Sequence, residues 1–173
     1  MNTQQIFTAL QNNLWHPHFY TVCAADQLPK IDSLFYPAAL IVNTVNQFQK
    51  GVHWQAIWLN NPDTIPEFFC SFGQAMPSHI KTFLLELDHH TCLDKCFLIQ
   101  QPTSSACGLF ALDYVLFRSY GGSRVAYFDR YSNTNFTENE RVLRTLWSGD
   151  FDHLRYIVRN TADPSFLSND SDI

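Results

Sequence analysis

The apolar residues of this chain fall in short runs interleaved irregularly with helical periodicities, and that mixture limits the fold more than any other feature. Ala38-Ala39-Leu40-Ile41-Val42, residues 53–59 (HWQAIWL), Phe68-Phe69-Cys70-Ser71-Phe72 and Cys96-Phe97-Leu98-Ile99 have the length and composition of strands. The second is closed by the turn signal Asn60-Asn61-Pro62-Asp63, and the third ends at Gly73. Helical spacing covers residues 3–12, where Thr3 can cap and Ile6, Phe7 and Leu10 share a face. It returns over 78–87, with Ser78 as cap, and over 106 to 120, where Leu109, Leu112, Val115 and Leu116 have core spacing and Gly121-Gly122 supplies a stop. Residues 137–148 carry Glu138 and Glu140 early and Arg144 late, the order that the helix dipole favours. Strands and helices mixed without regular alternation predict an α+β fold. No repeat or Gly/Ser/Pro-rich linker divides the chain, so a single domain over 1–162 is expected, with the acidic stretch 163–173 as a flexible tail.

Composition removes several alternatives. Hydrophobic residues make up 46% of the 173 and charged residues 16%, which excludes a disordered chain and leaves enough apolar surface for a core. No apolar run approaches the roughly 20 residues that span a bilayer. The opening MNTQQIFTALQNN lacks the basic start and apolar centre of a signal peptide, so the protein is expected in a reducing compartment rather than secreted. Five cysteines are an odd number and favour free thiols over a disulfide framework. A net charge of −5 argues against tight binding to DNA or anionic membrane, which requires a surplus of Lys and Arg. All seven arginines (Arg118, Arg124, Arg130, Arg141, Arg144, Arg155 and Arg159) lie in the last third among acids, a pattern expected of a solvated mixed-charge face.

Cys107 is the first residue to weigh for chemistry. It sits where the loop Gln100-Gln101-Pro102-Thr103-Ser104-Ser105 enters a helix, and unpaired N–H groups at a helix N-terminus favour a thiolate. Gly108 follows and would admit a substrate backbone. Position alone leaves a buried structural cysteine equally open. A nucleophile needs a base, and His53 stands out among seven histidines because it opens an apolar strand between Gly51-Val52 and Trp54; a half-buried structural histidine is the alternative. His16, His18, His79 and His153 have no comparable setting. His89-His90 with Cys92 and Cys96 resembles a fragment of a zinc site, but no second Cys pair follows at finger spacing, so no metal or other cofactor is expected.

Three blocks taken in order resemble the adenovirus proteinases. Ala39-Leu40-Ile41-Val42-Asn43-Thr44 followed by Gly51-Val52-His53-Trp54 resembles their Ile-Val-Asn-Thr strand and Gly-Val-His-Trp. Phe69-Cys70-Ser71-Phe72-Gly73 resembles their Phe-acid-x-Phe-Gly. Gln100-x-Pro102-x-Ser104-x-x-Cys107-Gly108-Leu109-Phe110 resembles their Gln-x-Pro-x-Ser-x-x-Cys-Gly-Leu-Phe. The resemblance covers about 15 to 120 and is thin beyond. It implies the α+β fold of papain-like, adenain-type cysteine proteases: a mixed, mostly antiparallel sheet packed against a helix that begins at the nucleophile. It implies Cys107 as nucleophile, His53 as base and a glutamine amide as oxyanion donor. Gln100 lies seven residues before Cys107, the adenovirus spacing, whereas Gln101 lies six before, the spacing of the related SUMO-deconjugating proteases. Gly51, Trp54 and Gly108 are implied to meet the substrate.

At the family's acid position stands Cys70, expected beside His53 Nδ1. A thiol is a weak acceptor there. A Cys-His dyad, an orienting role for Glu67 or Asp63, and a degenerate site all remain open. The resemblance further implies protein substrates, namely capsid or core precursors cut after small residues, often Gly, during particle maturation in a virion or infected cell. It implies a possible activating peptide attached through Cys92 or Cys96, while the acidic balance argues against DNA dependence. An isopeptidase for ubiquitin-like modifiers and a non-catalytic binding module are the rival readings.

Overall fold

The computed structural model describes residues 1–13 and 19–148. The expectations for His16, His18, His153, Arg155, Arg159 and the 163–173 tail lie outside the described residues. Among the described residues, five α-helices and four strands follow in the order α1 (Thr3–Asn13), β1 (Phe19–Cys23), β2 (Ala38–Asn43), β3 (Trp54–Leu59), β4 (Glu67–Phe69), α2 (Ser78–Glu86), α3 (Cys107–Ser119), α4 (Arg124–Asp129) and α5 (Phe136–Ser148).

The strands form one sheet in the order β1-β2-β3-β4, with β1 parallel to β2 and the other two pairings antiparallel. The fold is therefore α+β with a mixed, mostly antiparallel sheet, and α3 packs on it. Every residue of β2 and β3 is buried because both faces of the sheet are covered. This is why those strands appear in sequence as unbroken apolar runs rather than as alternations. Ala39, Ile41, Trp54, Ala56, Trp58 and Phe69 meet α1 and α3, through Ile6, Leu10, Phe110, Tyr114 and Phe117. Leu40, Val42, Ile57, Leu59 and Phe68 point the other way, onto Ile80, Phe83 and Leu84 of α2.

Helix ends follow local chemistry, with some departures from expectation. Asn2, not Thr3, starts α1: its backbone N–H donates to Gln5 Oε1, and the Gln5 N–H donates to Asn2 Oδ1, each at 2.9 Å. Pro77, not Ser78, occupies the cap position of α2. α3 ends as the Gly pair predicts. Gly121 adopts φ 88°, its N–H donates to the Arg118 carbonyl, and the Gly122 N–H donates to the Phe117 carbonyl, which together satisfy the last carbonyls of the helix.

Two strand expectations are corrected. The third run stops at Phe69, because the Gly73 N–H bonds back to the Cys70 carbonyl and Gly73 takes φ 66° to close the turn. Residues 96–99 are not a strand. Among the described residues, the stretch 93–99 forms just two isolated β-bridges, Leu93 with Glu67 and Leu98 with Phe72, and the Ile99 and Gln100 N–H groups both turn to the Ser71 carbonyl.

The arginine-rich third is also corrected: three of its cations are built into the fold rather than solvated. Arg118 donates through Nε and Nη2 to the two carboxylate oxygens of buried Glu67, each at 2.9 Å, and through Nη1 to the Gly122 carbonyl. Tyr114 donates its hydroxyl to the same carboxylate. Arg124 donates to the Phe68 carbonyl at 2.8 Å and the Lys95 carbonyl at 3.0 Å. Arg130 lies 3.3 Å from the Asp113 carboxylate, which also accepts from Tyr131. Arg141 and its partner Glu138 do lie on an exposed face. The Glu67–Arg118 pair joins β4 to α3 and so sets the elements carrying Cys70 and Cys107 against each other.

Candidate active site

Cys107 is the first residue of α3, so its sulfur sits beside backbone N–H groups that have no partner within the helix. It is buried except for a small patch at a cleft of about 260 Å³, which is also lined by Met1, Gly51, Val52, Trp54, Phe72 and Thr103 to Ser105. His53 immediately precedes β3, held by a hydrogen bond from the Thr44 N–H to its carbonyl at 3.0 Å. Its ring lies against Phe72, with centroids 4.6 Å apart and the planes tilted by 31°.

Cys70 follows β4 directly and is fully buried. Its Sγ lies 3.2 Å from His53 Nε2. The expected contact with Nδ1 is thus corrected: Nε2 faces Cys70, and Nδ1 is buried without a hydrogen-bond partner among the described residues. Burial pushes the Cys70 thiol up, against the backbone N–H groups of Phe72 and Gln74 and the Gln55 amide, which favour its thiolate; the nearby Cys107 sulfur adds to the rise. Cys107, His53 and Cys70 therefore converge at one end of the sheet, although no hydrogen bond joins Cys107 to His53 among the described residues.

The alternative orienting acids do not reach the histidine. Glu67 is committed to Arg118 and Tyr114, and Asp63 lies in the exposed turn after β3. Gln100 is fully buried. Its Oε1 accepts from the Ser71 hydroxyl at 2.6 Å, and its Nε2 donates to the Ser104 carbonyl at 2.9 Å, fixing the loop that delivers Cys107. Gln101 is exposed and outside the cleft lining. Gly108 lies under the cleft rather than in it: a side chain there would begin 3.1 Å from Trp54 and 3.2 Å from Ile6, so its absence lets β3 and α1 close onto α3.

Sequence reasoning gave Asn43 no role of its own. Asn43 is buried, and its Oδ1 accepts from the Val45 N–H at 3.2 Å and the Val52 N–H at 3.4 Å, pinning both ends of the loop that holds Gly51. A Cβ at Gly51 would come within 2.6 Å of Asn43 Nδ2, so any side chain there would push the Asn43 amide out of its place. The only signal for this role was the place of Asn43 at the end of the Ile-Val-Asn-Thr stretch. Phe72 and Met1 were missed as cleft walls.

Of the other candidates, His90 pairs with Asp88 at the surface. Cys96 Sγ accepts from the Cys70 N–H at 3.2 Å and donates to the Phe68 carbonyl at 3.3 Å. Burial raises the Cys92 thiol to about 11. Among the described residues no three His, Cys, Asp or Glu side chains gather as a metal site, and no helix is long and apolar enough to cross a membrane.

Burial lowers the His53 pKa from 6.5 to about 4, since the apolar surroundings disfavour the imidazolium. The unfolded chain therefore binds the extra proton more readily across that window. The stability due to a neutral His53 is complete above pH 6.5 and is lost as the pH falls towards 4. Urea unfolding at pH 7 and 4.5 is expected to show the parent losing about 2–3 kcal/mol more than His53→Gln does. Equal losses in the two proteins would show that His53 is not buried in its neutral form.

No protein-family model matches the chain, and no curated protein is significantly similar to it. Solved structures similar to the chain include two of the ASFV pS273R protease. The crystal structure of the ASFV pS273R protease is 18% identical over 92% of this chain and 63% of its own, with a TM-score of 0.42. Its selenomethionine form is 21% identical over 72% of this chain and 43% of its own, with a TM-score of 0.36. The chain thus spans less than two thirds of the length of either.

Proposed function

We propose that this protein is a cysteine peptidase with Cys107 as nucleophile and His53 as base. The observation that carries this reading is the cleft at the start of α3, where the Cys107 thiol opens onto solvent and His53, behind Gly51 and Val52, keeps one ring nitrogen unpaired. Because the Cys70 sulfur occupies Nε2, Nδ1 is the atom left to take a proton from Cys107. The thiolate then attacks a peptide carbonyl, forming a C–S bond as the carbonyl electrons move to oxygen. The Cys107 backbone N–H, free in the first helical turn, is one donor for that oxyanion, and the Gln100 amide can be the second if it turns from Ser104. Collapse expels the amine, which receives the proton from His53, and water releases the acyl group.

The cleft is small and walled by Trp54 and the Gly51 backbone, which favours small residues before the cut. With the resemblance to adenovirus proteinases, this points to capsid or core precursors of a virus or virus-like element, cut in the infected cell or the particle. A net charge of −5 makes DNA a poor activator. A disulfide-linked activating peptide is easier to place on Cys92, because Cys96 already holds the backbone at Cys70.

Incubation with an electrophilic Gly-Gly peptide, followed by mass mapping, is expected to find the adduct on Cys107. Labelling elsewhere, or none, would remove the assignment. Binding of the unreactive peptide without labelling would indicate a binding module, and faster cleavage of a ubiquitin-like conjugate than of a capsid-precursor peptide would indicate a deconjugase.

A further inference from the structure

The cleft beside Cys107 already holds a piece of polypeptide. The Met1 carbonyl accepts a hydrogen bond from Trp54 Nε1–H at 3.2 Å, and Met1 lines the same cleft as Cys107 and Gly51. Met1 Cβ lies 3.4 Å from the point where a Gly108 side chain would begin, one residue along from the nucleophile.

Two features make this contact more than incidental packing. An indole N–H that is largely buried needs an acceptor, and here a main-chain carbonyl supplies it. The helix behind Met1 is also held independently, because the Asn2–Gln5 pair and the bond from the Ile6 N–H to the Asn2 carbonyl fix the first turn of α1 without using Met1. Met1 can therefore rotate away from Trp54 without breaking a helical hydrogen bond. An extended peptide approaching Cys107 brings carbonyls chemically equivalent to the one already bound.

We propose that Trp54 Nε1–H is the subsite for a main-chain carbonyl of the peptide ligand, and that Met1 occupies it in the free protein as a displaceable competitor. The identity of the ligand as a peptide substrate rests on the peptidase reading, so the test is made where no peptide can be cut. In the Cys107→Ala background, affinity for a short Gly-Gly-containing peptide is measured for two variants. Asn2→Ala loosens Met1 but keeps the donor; Trp54→Phe keeps the ring but removes the N–H.

The two changes act in opposite directions. Asn2→Ala should lower Kd about three-fold by weakening the competitor, and Trp54→Phe should raise it about two-fold, because the lost ligand bond, worth about five-fold, is partly offset by the release of Met1. With Cys107 present, both variants free Met1 and should speed alkylation of Cys107 by a bulky maleimide relative to iodoacetamide, also about five-fold, read by mass mapping. Circular dichroism identifies a variant in which α1 has been lost. Kd shifts of the same sign, or an alkylation ratio within two-fold of the parent in both variants, overturn the proposal. Failure of the parent to hydrolyse any peptide would remove the peptidase reading, while the affinities and alkylation ratio would still decide the subsite.

Discussion

Cys107→Ala is expected to abolish peptide hydrolysis, with a fall of at least about 10³-fold in kcat/KM, while unfolding midpoints stay close to those of the parent. The reasoning is local. The substitution removes one sulfur at the cleft surface, leaves the first turn of α3 without a lost hydrogen bond, and places the best helix former at the first helical position. What disappears is the only thiol that lines the cleft among the described residues, and the only cleft nucleophile placed at a helix N-terminus. His53 and the backbone N–H groups remain, so residual hydrolysis by water is the floor rather than zero. A variant that cleaves as fast as the parent would show that the nucleophile lies elsewhere, and the unchanged unfolding midpoint guards against a trivial loss through misfolding.

Arg118→Met is expected to cost about 3–5 kcal/mol of stability, the largest effect foreseen away from the cleft. Glu67 is buried and receives two of its hydrogen bonds from the Arg118 guanidinium. Removing that cation leaves a carboxylate with only the Tyr114 hydroxyl, away from water, and also removes the bond to the Gly122 carbonyl at the end of α3. Pairing the substitution with Glu67→Gln should restore much of the loss, because a neutral amide no longer carries an uncompensated charge. Urea unfolding of the two single variants and the double variant gives the coupling directly. A double variant as unstable as the sum of its singles would show that the two residues contribute independently. Because this pair sets β4 against α3, a folded single variant should also label more slowly at Cys107, as Cys70 and the helix start lose their register.

Several elements were legible before any tertiary contact was known, and the reason is the same for each. The helix starting at Cys107, its stop at Gly121-Gly122, and the buried strands β2 and β3 depend on side-chain periodicity and on backbone preferences that act over a few residues. His53 and Cys107 could be singled out because each sits at a boundary between such elements, whereas Cys70 was singled out only by the resemblance of its segment to the adenovirus proteinases.

Contacts between distant residues were not legible. β1 (FYTVC) is rich in strand-forming residues but is only five residues long, and what makes it a strand of this sheet is its parallel pairing with β2. The 96–99 run looks as apolar as β2, yet the Ser71 carbonyl draws its N–H groups out of register. Glu67 looked free to orient a histidine, but Arg118, fifty-one residues later, holds it on the other side of the sheet. Gln100 was identified by spacing, but its present partners, Ser71 and Ser104, belong to a loop that only the folded chain brings to it.

The sequence by itself determined the helix that begins at Cys107, its stop at Gly121-Gly122 and the two buried central strands, because those choices are made by propensity, capping and periodicity over a few residues. The tertiary structure decided which ring nitrogen of His53 meets Cys70, which acid is unavailable, and that Met1 lies against Trp54 in the cleft. These are matters of partner and distance, set when two layers of side chains close on one sheet, and no local preference encodes them.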